Sequence, residues 1–404
     1  MTVALVPPVP DNTEAPLVFL IAGEPSGDVL GARLMAGLKQ ATGGHIRFAG
    51  IGGERMVAEG LDSLFPMAEL TLFGLAELLP KLPGLIRRLN QTVAAVLRLR
   101  PDALVTIDAP DFCFRVAKRV KAAGADIPLI HYVAPTVWAW RPGRARKIAA
   151  FLDHLLLLLP FEPPYFQAVG LDCTFVGHPV VEGGADKGDG DRFRARHDLA
   201  PETRILTVLP GSRRSEIKVL LPDFKATLEL LRDRHPDLHV VVPTVPGVEA
   251  VVRAAVADWP FPVTIVTGDG DKYDGFAAGT AALAASGTVA LELALARLPT
   301  VIAYRIHPLT YRLYRRLIRV RYVNLVNIML DRPLVPELLQ RDCVPENLAA
   351  ALDRLLTDAG QRQAQIDGVG EVARWLGQGD DPPSLRAARA VLAVMSRRRS
   401  ARQP

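Results

Sequence analysis

Two turns of the chain combine glycine and a hydroxyl side chain with the start of a helix, which is how proteins commonly bind phosphate. The first turn, LPGSRRSE (209–216), follows a strand-like run and precedes a helix-like one. Glycine allows a close backbone approach, the helix start offers unpaired amides, and Arg213 or Arg214 neutralises the charge. The pattern predicts an anion site formed by Gly211, Ser212 and Arg213. The alternative is that the last residues of this segment only begin the helix.

The second turn, ASGT (285–288), precedes the helix-like VALELALA. The amides at Gly287 and Thr288 can hold a diphosphate. The carboxylate of Glu292, one turn into the helix, is close enough to accept hydrogen bonds from a pair of ribose hydroxyls. Alone, this segment is a capped helix with a solvated glutamate. Paired with residues 209–216 in the same half of the chain, it predicts the second side of one nucleotide pocket.

A candidate general base lies in the first half of the chain. IDAPDF (107–112) ends a buried strand, and a carboxylate at a strand end is well placed to take a proton from a hydroxyl. Asp111 is a candidate contact on the acceptor side or, more simply, the N-cap of the helix that follows. Asp108 has no such structural explanation and is therefore the better candidate.

Two further loops offer substrate contacts. AGEPSGD (22–28) joins the first strand to a helix and is either an anion-binding turn or a tight turn capped by a side chain; its polar members are Glu24, Ser26 and Asp28. HYVAPTVWAWRP (131–142) places two tryptophans in a proline-flanked loop. Trp138 either lines a pocket or belongs to the core, and Arg141 is a candidate for facing an anionic group.

The elements that position these loops alternate between strand and helix. Continuous apolar runs bounded by turns and separated by helical periodicity predict parallel sheets covered on both faces, in an α/β fold. The pattern stops at the Gly- and Asp-rich segment 180–192 and then restarts. We therefore expect two doubly wound domains, with the cleft between them as the site.

The expected domain bounds follow from these breaks. The N-terminal domain spans 1–182 and includes a Pro-rich, flexible extension at 1–16. The C-terminal domain spans 192–365. Residues 366–404 form helices that pack back on the N-terminal domain or on a partner, and they end in a basic tail whose simplest interpretation is a solvated terminus.

Composition excludes several classes of protein. Of 404 residues, 49% are hydrophobic and 23% charged, which is typical of a packed chain of about two domains. Three dispersed cysteines (Cys113, Cys173 and Cys343) are neither a disulfide framework nor a zinc cluster, and fit a reducing compartment. The net charge of +5 tolerates phosphates or acidic lipid without identifying them. We expect no nucleic-acid partner, no export signal and no membrane span.

Two other motifs give weak signals. GIGGER (50–55) lacks the last glycine of a dinucleotide fingerprint, which argues against an oxidoreductase. Asp269 and Asp271 could imitate a metal-binding pair, although Gly-Asp turns after strands are the commoner explanation.

One segment has the composition of a membrane-surface helix. Residues 70–89 are rich in leucine and end in Arg87-Arg88. Such a stretch can lie in a lipid interface, or it can be an amphipathic helix that faces the core. The candidate membrane contacts are Leu72, Phe73, Leu75, Leu78 and Leu79.

Taken in order, these motifs resemble the lipid-A-disaccharide synthase family, a group of glycosyltransferases. The resemblance covers nearly the whole chain. Each motif alone is a weak signal, but the order and spacing of the motifs together are highly specific. The matching segments are AGEPSGD (22–28), GIGGERMVAEG (50–60), GLAELLPKLP (74–83), IDAPDF (107–112), HYVAPTVWAWRPGR (131–144), LPFEP (159–163), FVGHP (175–179), LPGSRRSEI (209–217), ASGTVALE (285–292), VPELLQ (335–340) and PENLA (345–349).

The resemblance implies a GT-B architecture and an inverting transfer without metal or other cofactor. The donor would be UDP-2,3-diacylglucosamine, the acceptor 2,3-diacylglucosamine 1-phosphate (lipid X), and the product a β-1,6-linked disaccharide 1-phosphate. It implies Asp108 as base, Asn327 near the donor, and peripheral attachment to the anionic inner face of the inner membrane. A homodimer stays open. The alternatives are a UDP-sugar epimerase of the same architecture and a noncatalytic polyanion-binding protein.

Overall fold

The computed structural model describes residues 15–70, 75–306, 311 and 320–400, with the backbone alone for 75–81. Its described residues divide into two compact units. The first contains the residues up to Val137, Gly143–Val176 and those from Asp381 onward. The second contains Trp138–Pro142 and Gly177–Asp380.

The first unit is built on a parallel six-stranded sheet in the order β2-β1-β3-β4-β5-β6. Phe19 and Ile21 point into the core on one face, and Val18 and Leu20 into the core on the other, so the sheet is covered on both sides. The strands are β1 Leu17–Ala22, β2 Arg47–Ile51, β3 Ala103–Ile107, β4 Leu129–Tyr132, β5 His154–Leu157 and β6 Cys173–Phe175.

The second unit is built on another parallel six-stranded sheet, in the order β12-β11-β10-β7-β8-β9. The strand order reverses on the two sides of the β7–β10 pair, as in doubly wound nucleotide-binding folds. The strands are β7 Arg204–Leu209, β8 Leu238–Thr244, β9 Val263–Thr267, β10 Ala281–Ala285, β11 Thr300–Tyr304 and β12 Glu337–Leu339. The two sheets confirm the predicted α/β fold class.

Helices connect the strands in both units. In the first unit these are α1 Pro25–Thr42, α2 Glu54–Ala58, α3 Leu75–Leu99, α4 Pro110–Ala122, α5 Gly143–Ala149 and α6 Pro163–Gln167. In the second they are α7 Gly190–Arg196, α8 Arg214–Leu231, α9 Glu249–Val256, α10 Asp269–Ala278, α11 Val289–Leu295, α12 Leu325–Leu330, α13 Pro345–Thr357 and α14 Ala359–Trp375. Within the described ranges, no helix is long and apolar enough to cross a bilayer.

The last helix, α15 (Pro383–Ser400), belongs to the first unit and packs on α1. A Cβ at Gly37 would lie 2.7 Å from the Ser384 carbonyl oxygen, so only glycine allows the two helices to approach so closely. The basic end of α15 is paired: Arg398 Nε donates to Asp126 at 2.7 Å, and Arg399 Nη2 to Asp102 at 2.7 Å. Ion pairs with the first unit therefore hold this end of the helix.

Candidate active site

The nucleotide pocket predicted from the sequence lies where β7 and β10 end side by side. Ligands of open α/β sheets bind at the carboxyl ends of strands where the strand order reverses, and the β7–β10 pair is that point in the second unit. A cleft of about 460 Å³ opens there. It brings together six of the seven predicted donor residues, which are Gly211, Ser212, Arg213, Gly287, Thr288 and Glu292.

A glutamate of α8 fixes the loop after β7 through hydrogen bonds. Gly211 has a φ of +110°, and a Cβ there would lie 2.7 Å from Glu216 Oε2, so the turn requires glycine. Glu216 Oε2 accepts hydrogen bonds from the amides of Ser212 and Arg213, both at 3.3 Å. Its Oε1 accepts from Arg213 Nη1 at 2.7 Å. Glu216 therefore both begins the helix and positions the arginine, a role that the sequence did not reveal.

The loop after β10 forms the facing wall. The Ser286 amide donates to the Ala303 carbonyl oxygen at 3.1 Å, which ties the loop to β11. Thr288 is the N-cap of α11, and the amides of Ala290 and Leu291 already donate to the carbonyl oxygens of Gly287 and Thr288, at 3.2 and 3.0 Å. The residues just before them, Gly287, Thr288 and Val289, line the cleft, and their amides are suited to an anionic ligand.

Lys272, on the first turn of α10, is a cleft residue that the sequence analysis missed. Its Nζ lies 3.0 Å from Glu292 Oε2 and 2.9 Å from Asp269 Oδ1. Burial raises the pKa of Glu292, and Lys272 opposes that shift. Burial alone lowers the pKa of Lys272, but Glu292 and Asp269 more than reverse this and hold it above its usual range.

Asp269 and Asp271 each form an ion pair with a basic side chain, which explains both carboxylates without a metal ion. Asp269 pairs with Lys272, and Asp271 with Arg196 of α7. Throughout the part of the chain that the structure describes, no group of three or more His, Cys, Asp and Glu side chains could hold a metal ion.

Thr244, at the end of β8, is a second missed residue of the cleft. It is nine-tenths buried and lines the cleft. Within the described residues its hydroxyl has no hydrogen-bond partner. A buried hydroxyl without a partner is costly, and it marks a place where a ligand can supply one.

Asn327, the seventh predicted donor residue, is absent from the described lining of the cleft and is fully buried. Its Nδ2 donates to the Val335 carbonyl oxygen at 2.8 Å and to Glu337 Oε1 at 2.6 Å, and its Oδ1 accepts from the Val335 amide at 2.9 Å. These bonds fix the connection from α12 to β12. The Asn327 side chain is therefore engaged within the fold, and this geometry gives it no direct contact with the donor.

Asp108 follows β3 at the corresponding reversal of the first sheet, between β1 and β3. Ser26 Oγ, from the loop after β1, donates to Asp108 Oδ2 at 3.5 Å, the outer limit of a hydrogen bond. A Cβ at Gly23 would lie 2.8 Å from the Ala109 Cβ, so the two loops touch. The structure thus brings together the candidate base and the loop that contains Glu24 and Ser26.

Backbone strain is concentrated beside the candidate base. The φ angles are +49° at Asp108, +42° at Ala109 and, after the neighbouring strand β4, +77° at Val133. Non-glycine residues rarely adopt this region, and a β-branched one least of all. The Asp108 amide donates to the Tyr132 carbonyl oxygen at 3.0 Å and holds the turn in place. Strain of this kind clusters at functional sites.

Two further carboxylates predicted for this site, Asp28 and Asp111, have different surroundings. Asp28 is buried, and its oxygens accept from the amides of Gly53 at 2.8 Å, Arg55 at 3.1 Å and Met56 at 3.1 Å, so it caps α2. The interpretation of Asp111 as an N-cap is wrong: Ala109 occupies that position, and Asp111 lies exposed in the first turn of α4. Asp111 therefore stays available to solvent near Asp108.

Trp138 and Arg141 lie in the short segment Trp138–Pro142 of the second unit. Trp138 is buried, as the core interpretation predicts. The Arg141 guanidinium lies over the Trp140 ring, 4.2 Å from its centre. The expectation that Arg141 faces an anionic group stays a prediction.

Of the candidate membrane contacts, Leu72 and Phe73 lie outside the described residues. Leu75, Leu78 and Leu79 belong to α3, where only the backbone is described. Further along α3, Leu82 and Ile86 are 42% and 48% exposed. The described part of α3 therefore presents apolar side chains to solvent.

Comparison with solved structures identifies the class of protein. The S. aureus MnaA–UDP co-structure matches with a TM-score of 0.61 at 12% identity, covering 94% of this chain and 95% of that one. Acinetobacter baumannii MurG matches with a TM-score of 0.57 at 13% identity, covering 95% and 99%. Such low identity shows the fold alone. Together with the two doubly wound sheets, it defines an α/β protein of the GT-B-like type.

Sequence comparison then identifies the family. The family model described as lipid-A-disaccharide synthetase matches residues 18–381. A lipid-A-disaccharide synthase of Rhodospirillum centenum is 73% identical over 382 residues, which cover 95% of this chain and 95% of that protein. The chain belongs to the lipid-A-disaccharide synthase family and is a glycosyltransferase.

Proposed function

We propose that this protein transfers 2,3-diacylglucosamine from its UDP derivative to the 6-hydroxyl of 2,3-diacylglucosamine 1-phosphate. The products are the β-1,6-linked disaccharide 1-phosphate and UDP. Family membership supports the reaction, and one observation carries the proposal for the site. The cleft at the ends of β7 and β10 gathers the residues expected to hold the UDP of the donor.

The second unit stabilises the leaving group. As the bond between the anomeric carbon and UDP breaks, negative charge grows on the diphosphate. Arg213, Ser212 and the amides of Gly287 and Thr288 bind that charge and so stabilise the leaving group. The Glu292 carboxylate accepts hydrogen bonds from the ribose hydroxyls.

The first unit supplies the base. Asp108 takes the proton of the acceptor 6-hydroxyl as its oxygen attacks the anomeric carbon from the face opposite UDP, so the configuration inverts. Ser26 and Glu24 border the sugar site beside Asp108. The backbone at Asp108 and Ala109 is strained, as is common at functional sites, and this supports the assignment.

Acylated substrates require access to lipid, and α3 provides an apolar surface for it. Leu82 and Ile86 are exposed beside Arg87, a combination suited to the interface of an anionic membrane. The sequence just before Leu82 is also rich in leucine and includes Leu72 and Phe73. The protein then works peripherally on the inner face of the inner membrane.

Mass spectrometry of the products tests the reaction. The protein is incubated with both acylated sugars in detergent and EDTA, and we expect disaccharide 1-phosphate and UDP. Conversion of the UDP-sugar to an isomer without acceptor would indicate an epimerase instead. A requirement for added manganese would contradict the metal-free mechanism.

A further inference from the structure

Lys272 is the one cation among the described residues of the nucleotide cleft that has no place in the mechanism above. It bonds two carboxylates, Glu292 across the cleft wall and Asp269 on its own helix. Its Nζ also lies 4.5 Å from the centre of the Tyr273 ring. The Lys272 and Glu292 side chains are only 19% and 23% exposed. The ammonium group is therefore held in place from three sides.

A partly buried carboxylate needs such a partner to stay ionised and to keep one orientation. Burial raises the pKa of Glu292, and the nearby Asp269 raises it further, whereas Lys272 lowers it. Carboxylate oxygens accept more than one hydrogen bond each, so one bond from Lys272 leaves acceptor capacity for two hydroxyls. Glu292 can therefore keep its ion pair with Lys272 and still accept hydrogen bonds from a ligand.

We propose that Lys272 is a positioning residue that holds the Glu292 carboxylate toward the ribose hydroxyls of the bound nucleotide. Preference for a ribonucleotide over its 2′-deoxy analogue then depends on Lys272 as well as on Glu292. The inference rests on the proposed function, because it requires a uridine nucleotide in this cleft. The competing explanation is that Lys272 binds the diphosphate directly.

Titration calorimetry with UDP and with 2′-deoxy-UDP separates the two explanations. In the unchanged protein we expect UDP to bind about tenfold more tightly than the deoxy analogue, since a hydrogen bond to a charged acceptor is lost. Lys272→Met should reduce this ratio at least about fivefold while changing the affinity for 2′-deoxy-UDP less than about twofold. Lys272→Arg should keep most of the ratio, because it keeps the charge.

Two further variants keep the test informative. Asp269→Asn changes a 73% exposed side chain, and we expect it to loosen one anchor of Lys272 and lower the ratio less than Lys272→Met does. In Glu292→Gln the ratio should already be low, and adding Lys272→Met should lower it no further. In the complete reaction, Lys272→Met should raise KM for the donor and leave kcat nearly unchanged.

Equal weakening of both nucleotides by Lys272→Met would overturn the proposal in favour of direct diphosphate binding. An unchanged ratio in both Lys272→Met and Asp269→Asn would overturn it in favour of a purely structural ion pair. Failure of the unchanged protein to bind UDP at all would count against the proposed function instead.

Discussion

At the scale of single residues, Asp108 is distinguished by its backbone. Each left-handed non-glycine residue costs about 1–3 kcal/mol; Asp108 and Ala109 are two of them, and Val133, after the neighbouring strand β4, is a third. The contact of Gly23 with Ala109 and the bond from the Asp108 amide to Tyr132 impose the conformation. The turn that carries the candidate base is therefore held in one backbone conformation.

Asp108→Asn should lower turnover by about 10²–10⁴-fold, since general base catalysis is worth that much, and should leave UDP affinity unchanged. The matched control is Asp111→Asn three residues along the chain, which changes an exposed carboxylate in the first turn of α4. We expect it to keep most of the activity. Rates of UDP release and UDP calorimetry on both variants give the answer. Loss of UDP binding together with turnover in Asp108→Asn would make Asp108 structural, and turnover close to that of the unchanged protein would contradict its role as base.

Thr244 permits a prediction in which stability and binding change in opposite directions. Thr244→Val removes a buried hydroxyl that has no partner among the described residues, so the free protein should keep its stability or gain up to about 1 kcal/mol. UDP affinity should fall about fivefold because the ligand loses a hydrogen bond.

Thr207→Val is the control for this prediction, measured by thermal unfolding and calorimetry. Thr207, inside β7, also has a buried hydroxyl without a described partner, but it is not among the described residues that line the cleft. We expect it to leave UDP binding unchanged. Equal UDP affinity of Thr244→Val and the unchanged protein would remove Thr244 from the site.

Sequence reasoning could reach the cleft residues that follow strands directly, because glycine, hydroxyl and arginine in one turn are a local signal. It could not reach Lys272, which arrives from another helix and has no motif of its own. It also misjudged Asp28, whose partners lie about 25 residues further along the chain, at Gly53, Arg55 and Met56. From the sequence alone, an aspartate that caps a helix distant in the chain cannot be distinguished from an aspartate that contacts a substrate.

At the scale of elements, α3 shows two faces. Leu89 and Val96 are buried in the core of the first unit, whereas Leu82 and Ile86 are exposed. The sequence left open whether this segment faces lipid or core. The described part of the helix packs on the core with one face and still presents apolar side chains on the other, which is the arrangement that an interfacial helix needs.

The double change Leu82→Ser and Ile86→Ser should weaken sedimentation with anionic vesicles about tenfold, because two partly exposed aliphatic side chains no longer enter the lipid. The matched control is Leu230→Ser with Val251→Ser, which changes side chains of 48% and 42% exposure in the second unit. That control should bind vesicles as the unchanged protein does. Equal binding by all three proteins would refute the membrane role of α3.

At the scale of the whole molecule, the alternation of apolar runs and helices was enough to predict two parallel sheets. It could not give the strand order, because the neighbours β1–β3 and β7–β10 are not consecutive in the chain and local patterns do not encode such pairings. The order matters for function, since it places one reversal between β7 and β10 and the other between β1 and β3. The predicted nucleotide and base loops lie at these two points, as expected for doubly wound sheets.

The central claim is that UDP binds in the second unit between the loops after β7 and β10. Calorimetric titration of UDP into the unchanged protein, Arg213→Ala and Arg214→Ala tests it most directly, since the two arginines are adjacent and both exposed, but only Arg213 is among the described cleft residues. We predict one UDP site, weakened about tenfold or more by Arg213→Ala because a charge-assisted contact is lost, and unchanged by Arg214→Ala. No heat with the unchanged protein, or equal weakening by both substitutions, would contradict the account.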